Sequence, residues 1–143
     1  MDEISYKPIG VVHSPFKEKK STPRQAIHSH KVCATVEILP EYEEGLKGIE
    51  NFSHIILLCH FHKRDTETLK VKPPHDDKVR GVFATRSPAR PNPIGLSVVR
   101  LLKVRGRILH IQNVDIIDGT PVLDIKPYIP DIDLMEVREG KES

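Results

Sequence analysis

Tryptophan is absent from this 143-residue chain, and aromatic residues reach only 5 %. Tyr6, Tyr42, Tyr128 and four Phe are all it has for stacking on a base. Cysteine is equally scarce. Cys33 and Cys59 cannot make a disulfide framework, and no C-x-x-C pair exists. No apolar run is long enough to span a bilayer, and the acidic start "MDEISYKPIG" has no signal-peptide core. The expected setting is therefore the cytoplasm, with both thiols reduced and no membrane contact. No G-x-G-x-x-G, P-loop, strand-helix-strand unit or internal repeat occurs, so neither a Rossmann fold nor a P-loop NTPase is supported. Hydrophobic residues, at 38 %, are few for a globular chain. A small core, a partner subunit covering part of the surface, or both would account for that.

Acid is also missing, but only locally. The net charge of +2 hides a block from Lys78 to Val114 that holds eight Lys/Arg and no Asp or Glu. From Asp115 to Ser143 the balance reverses, with eight Asp/Glu against three Lys/Arg. An acid-free block of this length points to an electropositive surface and to phosphate-bearing partners. For Arg100, Lys103, Arg105 and Arg107 the solvated face of a hairpin is an equal alternative.

What is present is mostly strand-like. "SYKPIGVVHS", "KVCATVEIL", "HIILLCHFHK", "KVRGVFAT", "IGLSVVRLLKV", "RILHIQNVDIID" and "PVLDIKPYI" carry period-two or continuous apolar patterns. Arg105-Gly106 reads as a hairpin turn. Only "PEYEEGLKGIENFS" looks helical, and Gly45 and Gly48 keep it short. The expected fold is mainly β: a small single-domain antiparallel β-barrel with long loops and one short helix. It would span residues 1–130, followed by an acidic tail at 131–143.

Three stretches look functional. In "GVFATRSPARPNPIGLS", Pro88, Pro91 and Pro93 stiffen a loop that presents Arg86 and Arg90, while Gly95 permits close approach of a ligand. The bland alternative is a rigid connector. "TPRQ" again places an arginine after a proline. "DGTPVLDIKPY" opens on a turn and sets Asp124 and Lys126 on one strand face. The run "CHFH", with His54 and His75, invites a zinc reading. Along a strand, however, Cys59 points away from His60 and His62, and no metal is expected.

Taken in order, "PRQ", "FSHIILL", "FATRSPARPNPIGLS" and "DGTPVLDIKPY" resemble the TsaA-like, or TrmO, family over nearly the whole chain. The resemblance implies a small β-barrel methyltransferase that uses S-adenosylmethionine and acts as a homodimer. It also implies a tRNA substrate, methylated on the exocyclic N6 of threonylcarbamoyladenosine beside the anticodon. The implied cofactor contacts are Pro23, Arg24, Gln25, His62, Lys63, Arg86, Leu96, Asp118, Gly119, Thr120 and Pro121, near the dimer boundary. The segment after Pro130 is brief, whereas bacterial members commonly carry a longer extension, so any tRNA contact made there does not carry over.

Chemistry then distributes roles. Arg24 or Arg86 pairs the cofactor carboxylate, carbonyls near Asp118 and Gly119 receive its ammonium or adenine amine, and Leu96 lies against the adenine. Asp124 is the candidate proton acceptor and Lys126 a candidate for holding a phosphate or the carbamoyl oxygen, with a structural ion pair as the alternative. Arg80, Arg90, Lys63 and Lys78 are candidate phosphate contacts, and Tyr128 is the candidate stacking residue for the anticodon loop. The competing reading is a non-enzymatic RNA-binding barrel.

Overall fold

Residues that alternate in the sequence alternate in burial, and that alternation builds the molecule. The computed structural model describes residues 1–17, 32–64, 66–74 and 77–134. Their strands are β1 (Gly10–His13), β2 (Cys33–Ile38), β3 (His54–His60), β4 (Lys70–Val71), β5 (Arg80–Gly81), β6 (Ile94–Arg105), β7 (Ile108–Gln112) and β8 (Pro121–Pro127). Six of them close an antiparallel barrel in the order β1-β2-β7-β6-β3-β8, and β4 and β5 form a separate ribbon.

Inside the barrel stand Val12, Val36, Ile38, Ile55, Leu57, Val99, Leu109, Ile111 and Val122, all essentially without solvent contact. Aliphatic side chains fill a barrel of this size on their own, so the core does without tryptophan. Each such side chain contributes about 1.5–3 kcal/mol relative to remaining exposed. The run "HIILLCHFHK" reads as a continuous apolar strand, yet β3 alternates in burial. Ile55, Leu57 and Cys59 face inward, while His54, Ile56, Leu58 and His60 face outward and are half-buried.

Two irregularities aim the strands. The β3–β8 register shifts between Leu58 and Cys59, so that Leu58 opposes Asp124 and Cys59 opposes Val122. The β6–β7 register shifts between Leu101 and Lys103. Bulges of this kind add local twist and let short strands wrap into a closed barrel. The Arg105-Gly106 turn joins β6 to β7 as expected.

The expected helix takes a different form. Pro40–Leu46 and Ile49–Asn51 are 3-10 turns, and only Leu46 among them is buried. A single buried position gives no apolar stripe to dock a regular α-helix. The one α-helical turn among the described residues is Pro130–Asp133, across the expected boundary between barrel and acidic tail. Likewise "KVRGVFAT" forms a strand only at Arg80–Gly81 and then a 3-10 turn, Val82–Ala84. No described helix is long and apolar enough to cross a membrane.

The two cysteines occupy opposite environments. Cys33 is exposed, whereas Cys59 points into the barrel and is 4 % exposed. Burial, reinforced by the negative charge of Asp115, pushes the Cys59 thiol up to about 12. Iodoacetamide at pH 8 is therefore expected to add one label, on Cys33, with the second appearing only after denaturation. Rapid labelling of Cys59 in the native protein, read by mass spectrometry of its peptides, would contradict this burial.

Candidate functional site

Beyond the end of β3, the proline-rich loop, the open end of β6 and the segment leading into β8 enclose a cavity of about 800 Å³. Among the sequence-predicted residues it collects His62, Lys63, Arg86, Arg90, Leu96 and Thr120. Its apolar wall comes from Phe61, Ile94 and Ile116. Phe61 fills the space that a side chain at position 95 would need: a Cβ built on Gly95 would lie 2.4 Å from the Phe61 ring. Gly95 thus serves the close approach of this chain's own phenylalanine.

The loop is held by its own side chains. Ser87 N–H donates to Thr85 Oγ1 at 3.2 Å, and Ala89 N–H donates to Ser87 Oγ at 3.2 Å. Arg90 was expected to project toward RNA. Instead its Nη1 donates to the carbonyls of Thr85 (2.9 Å) and Ser87 (3.0 Å), and Arg64 donates to the Arg90 carbonyl. A guanidinium has five donors in a fixed fork, so it can brace several carbonyls of one tight loop. Arg86, by contrast, is exposed and lines the cavity.

The turn that opens β8 is lashed to the end of β1. Asp118 accepts from Ser14 N–H at 2.9 Å and from Lys17 Nζ at 2.8 Å, and its own N–H donates to the Phe16 carbonyl at 2.6 Å. The Lys17 bond first, then the Ser14 bond, hold its carboxyl below the ordinary carboxylate value. Gly119 sits at φ +83, a left-handed conformation that favours glycine, with the His62 ring beside it: a Cβ there would lie 3.8 Å from His62 Nε2. Thr120 is buried and donates to the Ile117 carbonyl at 2.6 Å. Pro121 pairs with Val11 across the barrel seam. Desolvation first, then the neighbouring charges of Lys63 and His60, lower the His62 pKa, while Asp118 opposes them. This shift favours the neutral imidazole.

Other expected residues lie elsewhere. Pro23, Arg24 and Gln25 fall outside the described residues. Asp124 and Lys126 stand on the outer face of β8, paired with each other at 3.0 Å, and neither lines this cavity. Asp124 borders a second space of about 680 Å³, beneath the 3-10 turns that follow β2. Tyr128 is half-buried just past β8, its N–H donating to the His54 carbonyl at 3.1 Å, and Arg80 lies on β5. Arg107, from the basic block, donates to the Ile38 carbonyl at 2.7 Å and so serves the fold. Cys59 and His60 occupy opposite faces of β3, and no group of three or more His, Cys, Asp or Glu among the described residues is placed to hold a metal.

Sequence reading missed Phe61, Ser97 and Asp115. Asp115 is the first carboxylate after the acid-free block, and that position was its one signal. Ser97 Oγ donates to Asp115 Oδ1 at 2.7 Å.

The Asp118 clamp carries a pH signature. A carboxyl held below its unfolded value of 3.8 stabilises the fold above that pH, and the contribution is lost as pH falls through the folded pKa. Asp118→Asn is expected to lower the melting temperature at pH 7 and to leave a flatter acid limb in a pH series of thermal melts. Parallel curves for the two proteins below pH 5 would show that the clamp contributes nothing.

Comparison with known proteins identifies the family. Residues 11–134 match the family model described as the tRNA-methyltransferase O N-terminal domain. A Pyrococcus abyssi protein described as a probable S-adenosyl-L-methionine-binding protein is 58 % identical over 138 residues, covering 96 % of this chain and 75 % of that one. A mouse protein described as a tRNA (adenine(37)-N6)-methyltransferase is 48 % identical over 134 residues, covering 89 % of this chain and 31 % of that one. The crystal structure of TrmO from Pseudomonas aeruginosa superposes with a TM-score of 0.83 at 42 % identity, over 97 % of this chain and 62 % of that one. The chain thus spans about a third of the mouse relative and under two thirds of the Pseudomonas structure. With nearly all its strands and its cavity-forming loops inside the matched region, the chain belongs to the TrmO family.

Proposed function

We propose that this protein transfers a methyl group from S-adenosylmethionine to the N6 of an adenine in tRNA, and that the adenine is threonylcarbamoyladenosine beside the anticodon. The observation that carries the reading is the composition of the cavity. An apolar wall (Phe61, Ile116) adjoins a cationic one (Arg86, Lys63, Lys72), with a carboxylate, Asp115, among them. Its volume of about 800 Å³ falls in the range of small-ligand sites. A ligand that is part flat and apolar, part zwitterion fits that division, and S-adenosylmethionine is such a ligand.

When bound, S-adenosylmethionine supplies an electrophilic methyl group. Arg86 offers its fork to the ligand carboxylate, and Leu96 and Phe61 offer apolar surface to its adenine. The braced proline-rich loop keeps Arg86 near its bound position beforehand, so little ordering entropy is lost on binding. In-line displacement needs an acceptor nitrogen held behind the methyl group, so positioning carries much of the catalysis. His62 and the buried Thr120 shape the side nearest the Asp118–Pro121 turn. Asp124 and Lys126, paired outside the cavity, fit a structural ion pair better than a proton relay.

The active form proposed is a homodimer. Ile56, Leu58, Ile94, Leu96 and Val98 stand together on the outer face of β3 and β6. Of these, Ile94 and Leu96 are 43 % and 47 % exposed. An apolar face of this kind marks an interaction surface, and Leu96 joins it to the cavity lip. A second copy covering it would explain the chain's low apolar content. The setting proposed is the cytoplasm, where tRNA is modified.

Incubation with S-adenosylmethionine and tRNA from cells lacking such an enzyme, followed by digestion and mass spectrometry, should yield threonylcarbamoyladenosine heavier by one methyl group. Arg86→Ala should raise the KM for cofactor by about tenfold or more, the loss expected for one charged hydrogen bond. Methylation of a different adenosine would discard this substrate. RNA binding without cofactor binding would leave only a binding barrel. Light scattering should give a dimer for the native protein and a monomer for Val98→Glu, and a native monomer would overturn the dimer.

A further inference from the structure

We propose that Asp115 is the counter-ion for the α-ammonium of the bound cofactor, held in place for that purpose by Ser97. The inference rests on the cofactor reading above. Asp115 is the one carboxylate among the described residues lining the cavity, which otherwise offers Lys63, Arg64, Lys72, Arg86 and Arg90. A wall of cations alone would select an anion such as free phosphate. One carboxylate facing several cations instead matches a group carrying both signs, as the amino-acid end of the cofactor does.

Asp115 is fixed in position. Ser97 Oγ donates to its Oδ1 at 2.7 Å, a length typical of a charge-assisted bond. Ser97 lies on β6 and faces the barrel interior, in register with Leu57 of β3, so the anchor is part of the sheet. The buried Cys59 borders the same end of the barrel and stays protonated, so it brings no competing charge. The sequence alone offered carbonyls near Asp118 and Gly119 as acceptors for the ammonium or the adenine amine. Neither residue lines the cavity, and Asp118 is engaged by Ser14 and Lys17. A full negative charge in a partly enclosed site also holds an ammonium more strongly than a neutral carbonyl does.

The ammonium keeps its charge throughout methyl transfer. An interaction with it is equally strong in the ground state and the transition state, and therefore appears in binding and KM rather than in kcat. Asp115 is on this account a binding residue and not the proton acceptor.

The test is calorimetry with three probes on the native protein and on Asp115→Asn. S-adenosylmethionine and S-adenosylhomocysteine both carry the ammonium, and 5′-methylthioadenosine lacks the whole amino-acid end. Asp115→Asn should weaken the first two by a similar factor, about ten- to a hundredfold, and leave the third unchanged. Ser97→Ala should reproduce the pattern with a smaller factor, and it carries the test if the Asn variant fails to fold. With cofactor saturating, kcat should stay within about threefold of native. Equal weakening of all three probes would reduce Asp115 to a structural role. Unchanged affinities with a fallen kcat would move it to the reacting nitrogen. A native protein that binds none of the three would instead refute the cofactor reading itself.

Discussion

The barrel closes on its shortest seam, and the cavity is built at the end of that seam. Between β3 and β6 seven residue pairs are in register, from His54 opposite Arg100 to His60 opposite Ile94. Between β1 and β8 there are two, Gly10 opposite Val122 and Val11 opposite Pro121. The seam is lengthened by bonds outside the regular ladder. Ile9 N–H donates to Val122, Val12 N–H to Thr120, and Gly119 N–H to Val12, all within 2.8–2.9 Å. The last stitches are those of Asp118 to Ser14, Lys17 and Phe16. The turn at Asp118–Pro121 therefore completes the closure of a six-stranded sheet and places Thr120 on the cavity wall in the same few residues. Loosening it would open the sheet edge and deform the site together.

A barrel filled by its own aliphatic side chains has no room for a ligand at its centre. A binding site must then sit at a mouth, where inward positions no longer face one another. The change is visible along β6. Val99 and Leu101 face inward and are buried in the core. Two and four residues before Val99 the inward positions become Ser97, holding a carboxylate, and Gly95, covered by Phe61. One strand thus carries the transition from core to site by changing residue type at a constant period of two.

Much of this was legible beforehand, and what was not has definable causes. Period-two alternation located β2 and β7, because a half-buried strand repeats its pattern in the sequence. The fold brings His62, Lys63, Arg86, Leu96 and Thr120 to one cavity, whereas Asp118, Gly119 and Pro121 do not line it. The stretch 40–51 misled, since acidic residues and a leucine look helical although only one side chain finds the core. Arg90 misled for a different reason. Position in a rigid loop said nothing about the direction of a guanidinium, and the nearest acceptors were the loop's own carbonyls. Asp124 and Lys126 share a face as read, but the bulge at Leu58–Cys59 and the strand's pleat turn that face outward. Asp115 escaped because a lone aspartate between apolar residues carries no motif, and its place just after the acid-free block was the one signal.

The proline-rich loop shows how stiffness and charge were divided within one segment. Prolines limit backbone freedom but cannot replace the amide donors they remove, so a loop of this composition needs its carbonyls satisfied from elsewhere. Arg90 and Arg64 do that, which accounts for part of the basic character without reference to any partner. Arg107 does the same for the end of β2. The acid-free block is thus partly internal scaffolding. Arg86 from the block, with Lys63 and Lys72 from outside it, lines the cavity. Within such a field a single fixed carboxylate has large leverage. It sets which ligands of mixed charge are accepted, because each cation around it favours anions without distinguishing among them.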